Sequence, residues 1–475
     1  METRRSRSLL KSLLTSAALF AAALPNAWAV PSYARQTAMA CSTCHTVFPE
    51  LTPFGREFKL NGYVLDNMKQ IKGITIGRSE TMSLNQIPPL SLMGQISYTH
   101  TSQALPDTGP GAPTGALAKD GEVSFPQQVS FFYAGKIADS LGAFVQLTYS
   151  GPTDHFGLDN TDVRYVQHTS FAGPEQDVIF GVTLNNNPTV QDPWNTTSAW
   201  GYPFAGSFTA PTPNTSTKLD SGAGGIGQNV GGLGGYMWFD HSIYAEVTLY
   251  SGAKVGGTHP LDSNQKQVVH GIAPYWRLAY ERRWDQNSLS VGTFGIRAGI
   301  HPGGNNGVAA PGTVSFPLSG PTDRYTDYGL DTQYQYISDD HQVSALATYY
   351  HEHRDLAASV ADGLAQKVDG SLNTEKLGVN YYYRRKIGGS VGIFNTTGSS
   401  DNIQYAAAPV VGSATNSPSS RGYVFELNYL PALNVKLQVQ YVAYSKFNGA
   451  SSNYDGSGRS ASDNNTLYLL GWFNF

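Results

Sequence analysis

From residue 89 onward, apolar side chains fall on every second position. Leu90, Leu92, Gly94, Ile96 and Tyr98 alternate with small or polar residues, as do Val129, Phe131, Tyr133, Gly135 and Ile137. The same period recurs over 330–336, 377–383, 423–429 and 435–443, and the chain closes on Leu467, Leu469, Gly471, Phe473 and Phe475. A period of two marks a strand with one apolar face. The positions between are polar, including Asp331, Gln333, Gln335, Lys376, Asn380, Arg384, Lys436, Gln438 and Gln440. Apolar outside and polar inside is the pattern of a transmembrane barrel. The pattern predicts 16 strands, over 90–99, 123–137, 142–151, 159–168, 177–186, 231–239, 243–252 and 270–283, then 288–300, 324–337, 342–353, 373–386, 389–396, 421–430, 434–444 and 464–475.

The connections alternate in length. Tight turns are expected at Asp139-Ser140, Asp240-His241-Ser242, Asp285-Gln286-Asn287, Asp339-Asp340, Gly388-Gly389 and Pro431-Ala432. Long Gly/Pro/Ser/Asn-rich segments fall at 100–122, 187–229, 253–269, 301–322, 354–371, 397–420 and 445–463. Outer-membrane barrels have short periplasmic turns and longer external loops. An even strand count puts both barrel ends, and whatever precedes the first strand, on the periplasmic side. A soluble sandwich or propeller would show more uniform loops.

Composition agrees. Charged residues are 14% of the chain, with 51 Gly and 28 Tyr, which favours strands and turns over helices. A net charge of −4 gives no footprint for nucleic acid. Residues 1–29 read as a signal peptide. Arg4, Arg5, Arg7 and Lys11 form a basic start, 13–24 an apolar run too short to span a bilayer, and Ala27-Trp28-Ala29 a cleavage site.

Cys41-Ser42-Thr43-Cys44-His45 carries the chemistry. C-x-x-C-H is the attachment signature of c-type haem: the thiols bond the haem vinyl carbons and the histidine ligates the iron. These are the only 2 cysteines, so a zinc site lacks its second pair. No βαβ context supports a thioredoxin-like motif. The short spacing disfavours a structural disulfide.

Residues 31–65 extend the motif with Phe48-Pro49-Glu50-Leu51, Pro53-Phe54-Gly55-Arg56, Phe58-Lys59-Leu60 and Gly62-Tyr63. This run resembles the fused outer-membrane monohaem cytochrome c–porin family, whose best-known members are the iron oxidases of iron-oxidising bacteria. The resemblance covers about 35 residues in sequence and the remainder only in architecture. It implies three regions: signal peptide 1–29, monohaem cytochrome c segment 30–88 and outer-membrane barrel 89–475. It also implies an outer-membrane protein of a Gram-negative bacterium, with one covalent haem c plugging or capping the periplasmic side.

About 60 residues bury little apolar surface alone, so the haem segment is expected at or in the barrel mouth. Phe48, Phe54, Phe58 and Tyr63 would pack on haem and lumen wall. Cys41, Cys44 and His45 are the attachment and proximal residues. Met82 and Met68 are candidate distal ligands, with His100 a further option, and Met39 lies too near the motif to fold back easily. Arg56 and Arg35 are candidates for the haem propionates. His351-Glu352-His353 places two histidines on one strand face, too few to hold a metal alone. Asp192, Asp220, Asp355, Asp362 and Asp369 sit in long loops that could attract cations.

The expected function is electron transfer from an extracellular donor, with Fe(II) implied by the resemblance, to a periplasmic c-type cytochrome or similar carrier. No acid–base residues are required, because the chemistry is the cofactor's. The alternatives are a diffusion porin with a structural or regulatory haem, and an outward conduit to an external acceptor.

Overall fold

A computed structural model describes residues 31–475 apart from 73–74, 77–78, 81–82, 106–120, 153, 171–176, 214–216, 220–224, 253–267 and 303–319. The expected signal peptide over 1–29, Met82 and Asp220 lie outside the described residues. The first half of the barrel is β1 (Leu90–Thr101), β2 (Glu122–Ala138), β3 (Leu141–Ser150), β4 (His155–Thr169), β5 (Val178–Asn185), β6 (Val230–Phe239), β7 (Ile243–Gly252) and β8 (Ile272–Trp284). The second is β9 (Asn287–Ile300), β10 (Asp323–Ile337), β11 (His341–Asp355), β12 (Asp369–Tyr383), β13 (Ile387–Gly398), β14 (Ser420–Ala432), β15 (Val435–Lys446) and β16 (Thr466–Asn474). Each strand pairs antiparallel with its sequence neighbours, and β16 pairs with β1, closing a barrel of 16 strands. A two-residue strand, Val269–His270, continues β8 beyond Gly271.

The side-chain faces follow the alternation. Leu233, Val247, Leu278, Val291, Leu377 and Leu427 point outward and are exposed. Asp331, Gln333, Gln335, Asn380, Gln438 and Gln440 point inward and are buried. An apolar exterior around a polar interior is the surface of a barrel that faces lipid. No described helix is long and apolar enough to cross a membrane.

Three expectations need correction. The turn assigned to Gly388-Gly389 is made by Arg384 and Arg385, both left-handed with φ of 51° and 56°. Gly388 instead pairs with Tyr382 inside β13, where a Cβ would lie 2.3 Å from that ring. Arg384 is therefore no lumen residue: it is exposed, and its Nε donates to Asp340 at 2.7 Å. Second, β3 and β4 are joined by a short connection at 151–154, so the alternation of loop lengths fails there. Third, segment 187–229 is not an external loop. Its described residues turn back into the lumen, where Val190, Asp192, Trp194, Thr197 and Leu219 are buried.

Residues before β1 form three short helices, α1 (Pro31–Thr37), α2 (Cys41–Cys44) and α3 (Pro53–Leu60), then small hairpin strands over 70–85. They lodge inside the short-turn end of the lumen. The Tyr33 hydroxyl donates to the Ala143 carbonyl at 2.9 Å, and Asn85 Nδ2 to the Lys136 carbonyl at 2.7 Å. Gly142 on the inner wall makes room: a Cβ there would lie 2.2 Å from the Gly62 carbonyl.

Candidate haem-binding site

α2 is a single turn, so Cys41 and Cys44, three apart, share one face. His45 leaves that turn in extended conformation, φ −127°, and bridges to Leu51. Its Nδ1 lies 3.1 Å from the Glu50 carbonyl. A carbonyl can only accept, so Nδ1 carries the proton and Nε2 keeps its lone pair, the arrangement usual for a metal-ligating histidine. Burial pushes His45 down to about 4, against the pull of the Glu50 and Pro49 carbonyls. The ring is thus neutral at ordinary pH. Burial, with Cys41 beside it, pushes the Cys44 thiol up to about 12. Neither cysteine is disulfide-bonded, and the raised Cys44 value argues against a reactive redox thiolate.

α3 holds α2 in place. Thr52 caps it, accepting from the Gly55 amide at 3.1 Å while its hydroxyl donates to the Thr43 carbonyl at 2.6 Å. Pro53 occupies the first turn, where no amide is needed. Gly55 sits directly on Cys44: a Cβ would lie 2.2 Å from its carbonyl oxygen. The helix ends through Gly62, φ 64°, with the Tyr63 amide donating to Phe58 at 3.0 Å.

Between these helices and the wall lies a cavity enclosing about 1050 Å³, part of it open to solvent. Cys41, Cys44 and His45 line it, and Phe48, Phe54, Phe58 and Tyr63 join them as the sequence predicts. Phe132, Phe144 and Trp200 complete an aromatic enclosure from the barrel and the inturned segment. Two thiols in no disulfide, a neutral imidazole with Nε2 available and an aromatic chamber fit a covalently attached haem. Ser91 adds a buried lining hydroxyl with no hydrogen-bond partner among the described residues.

The other predicted residues separate. Met39 lines the cavity and Met68 does not. Met68 packs behind it against Phe58 and Tyr63, its sulfur accepting from the Leu65 amide at 3.3 Å. Arg35 is exposed and bonds the Leu90 carbonyl. His100 lies on β1 near its outer end, away from the cavity. Arg56 faces the wall instead of the cavity. Its guanidinium is 1% exposed and meets Glu281 at 3.0 Å, Gln333 at 3.0 Å, Gln335 at 2.8 Å and Ser288 at 3.1 Å. Both terminal nitrogens are taken by protein, only Nε lacks a partner among the described residues, and Arg56 does not line the cavity, so the propionate assignment for Arg56 has no geometric support.

Lys59 and Asn195 went unpredicted. Lys59 Nζ donates to the carbonyls of Val190 and Asp192, both at 2.7 Å, and to Asn195 Oδ1 at 2.9 Å, and stands 5.0 Å from the Trp200 ring centroid. Asn195 in turn donates to the Pro49 carbonyl at 2.8 Å. The inturned segment therefore clamps the N-terminal segment and roofs the cavity beside it. Aromatic density in a nominal loop, Trp194, Trp200, Tyr202, Phe204 and Phe208, was the available signal.

Asp192 is no external cation trap. It is buried, 3.1 Å from Arg277, and accepts from the amides of Trp194 and Thr196. Asp355 at the end of β11 is half-buried, while Asp362 in the outer loop and Asp369 at the start of β12 are exposed. His351 and His353 flank the buried, inward Glu352, and no group of three metal-ligating side chains occurs among the described residues.

No family model and no curated protein matches the chain. Among solved structures it is similar to the outer membrane channel DcaP of Acinetobacter baumannii, at 11% identity and TM-score 0.43, covering 81% of this chain and 96% of that one. It is also similar to Salmonella typhi OmpF in complex with daunomycin, at 11% identity and TM-score 0.43, covering 81% and 97%. The anion-selective porin from Comamonas acidovorans aligns at 14% identity and TM-score 0.41, covering 81% and 99%.

Proposed function

We propose that this chain is an outer-membrane electron-transfer protein holding one covalent haem c in the segment lodged in its lumen. Electrons pass from an extracellular reductant, Fe(II) by family resemblance, to a periplasmic carrier such as a c-type cytochrome. The observation that carries the reading is one cavity, at the short-turn end of a closed barrel, lined by both thiols and His45. Cys41 and Cys44 would hold the haem and His45 its iron. Bound there, haem c supplies one-electron exchange. The Glu50 carbonyl fixes the His45 ring, and Phe48, Phe54, Phe58, Phe144 and Trp200 exclude water. Lys59 and Asn195 close the lumenal side through the inturned segment. The barrel's part is access, so that a donor whose oxidised form precipitates stays outside the cell.

A diffusion porin with a structural haem is the second reading, and the barrel with its polar lumen favours it taken alone. The lodged segment and the inturned loop both oppose free passage. Single-channel recording separates the two: solute-sized conductance by the haem-loaded protein supports the porin. Cys44→Ala should abolish covalent haem staining on a denaturing gel, and persistent staining refutes the attachment site. Haem that stays oxidised under excess Fe(II), yet is reduced by dithionite, excludes Fe(II) as donor. Reduction by Fe(II) that His45→Ala abolishes supports it.

A further inference from the structure

Two kinds of arginine stand on the outward face at the long-loop end. Arg421 is paired: its Nε donates to Asn395 Oδ1 at 3.1 Å, and Asn395 Nδ2 donates to Glu375 at 3.2 Å. Arg297 on β9 and Arg324 on β10 are also outward and exposed, yet neither guanidinium has a hydrogen bond or ion pair among the described residues. Register makes them diagonal neighbours, since Arg297 pairs with Thr326 and Gly299 with Arg324. Diagonal neighbours stand about 7–8 Å apart, within reach of long side chains.

Gly299 lies between them and leaves a floor without a side chain. His270 pairs with Gly299 from the other side and is exposed, its ring 5.2 Å from that of His301. A Cβ on Gly299 would lie 3.2 Å from Thr322 Oγ1, so that hydroxyl borders the same floor. Two guanidiniums, an imidazole and a hydroxyl therefore surround one open patch of strand. Asp355 is the carboxylate at hand, opposite Arg324 across β10 and β11. It forms no ion pair among the described residues and accepts from the Ala357 amide at 3.4 Å.

The depth suits a head group. Trp276 and Tyr328 both pair with Gly295, one outward row nearer the membrane centre than Arg297, and their side chains are 41% and 47% exposed. Trp and Tyr gather where hydrocarbon meets head groups, and charge on a lipid-facing strand costs least near that level. Guanidinium forks fit phosphate bidentately. We propose that Arg297, Arg324, His270 and Thr322 form a receptor for the phosphate of an anionic lipid head group in the leaflet at the long-loop end. The site lies at the opposite end of the barrel from the cavity beside His45 and does not depend on the haem reading.

Native mass spectrometry of the full-length protein in non-ionic detergent tests the site with dioleoyl phosphatidic acid, dioleoyl phosphatidylcholine and inorganic phosphate. Wild type should bind phosphatidic acid more tightly than zwitterionic phosphatidylcholine. Arg297→Gln combined with Arg324→Gln should weaken phosphatidic acid binding by at least about tenfold, the worth of one charge-assisted hydrogen bond. Arg324→Gln alone should weaken it by less, and it carries the test where the double variant does not insert. Arg421→Gln, the paired arginine on the same face, should leave the affinity unchanged. Full affinity in the double variant, or in Arg324→Gln where that variant stands alone, overturns the proposal. An equal loss in Arg421→Gln marks general charge attraction and also overturns it. Inorganic phosphate that displaces the lipid from wild type assigns the site to the free ion and overturns the head group. Self-association of wild type that the double variant abolishes, with lipid affinity unchanged, assigns the face to a second copy of the chain and overturns it too.

Discussion

Arg56→Met tests whether the haem segment is docked by charge. Arg56 and Glu281 are both buried, 3.0 Å apart, and the guanidinium also satisfies Gln333, Gln335, Ser288 and the Leu51 carbonyl. Removing one partner of a buried pair costs about 3–5 kcal/mol, because the other charge stays behind. Glu281 keeps Arg283 and the Trp194 indole at 2.5 Å each, which favours the lower end of that range. About 3 kcal/mol, at roughly 1.4 kcal/mol per factor of ten, raises the population of the undocked segment by over a hundredfold. Native-state hydrogen exchange reads this at α3 and its C-terminal cap, where Asn61 N–H donates to the Glu57 carbonyl at 2.8 Å and Tyr63 N–H to the Phe58 carbonyl at 3.0 Å. Those amides should exchange about a hundredfold faster than in wild type, while amides in the middle of β9 and β10 keep their protection. Arg56→Lys should fall between, since an ammonium cannot fork to Glu281 and the glutamines together. Exchange at α3 within threefold of wild type for Arg56→Met would refute docking through this pair.

Gly55→Ala should displace α3 from Cys44 and destabilise the segment by about 1–3 kcal/mol, because its Cβ would lie 2.2 Å from a carbonyl oxygen; proteolytic nicking after residue 45 that matches wild type speaks against it. Lys59 gives a pH signature. Burial is the main cause holding it down to about 7 in the folded protein, against about 10.4 when unfolded, so between pH 7 and 10 the unfolded chain binds more protons and stability rises with pH. Lys59→Met should flatten the rise in thermal midpoint across that window, and an unchanged slope assigns it elsewhere. Topology is testable with epitope tags: one after Gly458 should be reached on intact cells and one at Asp339 should not, the reverse pattern inverting the barrel.

Alternation made the strands legible, because lipid outside and polar side chains inside impose a period of two on almost every residue of β1 to β16. Turn positions were legible where Asp and Asn occur, as at Asp285, φ 48°. They failed at Gly388-Gly389, where glycine serves the Tyr382 ring and two arginines take the left-handed positions. The haem motif is local, and its reading needs only five residues. Its surroundings are not local: Arg56 meets Gln335, 279 positions away, and Lys59 meets Asn195, 136 away. Segment 187–229 misled for a physical reason. Gly, Pro, Ser and Asn suit any backbone free of regular pairing, and a polar lumen accepts such a backbone as readily as solvent does.

α3 shows why the haem segment and the barrel are one unit. In a free-standing cytochrome a helix of this composition would turn Phe54 and Phe58 toward the haem and leave Arg56, Glu57 and Lys59 in water. Here Phe54 and Phe58 line the cavity, yet Arg56 and Lys59 are as buried as Leu60. Glu57 reaches Arg283 and lies 3.2 Å from His241, and Glu50 bonds Asn380 and accepts from Thr46 at 2.8 Å. Arg56, Lys59, Glu50 and Glu57 each have a named partner on the wall or the inturned loop, placed by strands far away in sequence. A charged face buried this completely is costly without those partners, so residues 31–68 have no stable resting place outside this lumen. It follows that the segment cannot serve as a shuttle that leaves the barrel to carry electrons. On the function proposed above, an electron at His45 would be exchanged with the segment docked, and a periplasmic carrier would have to come to the short-turn mouth to collect it.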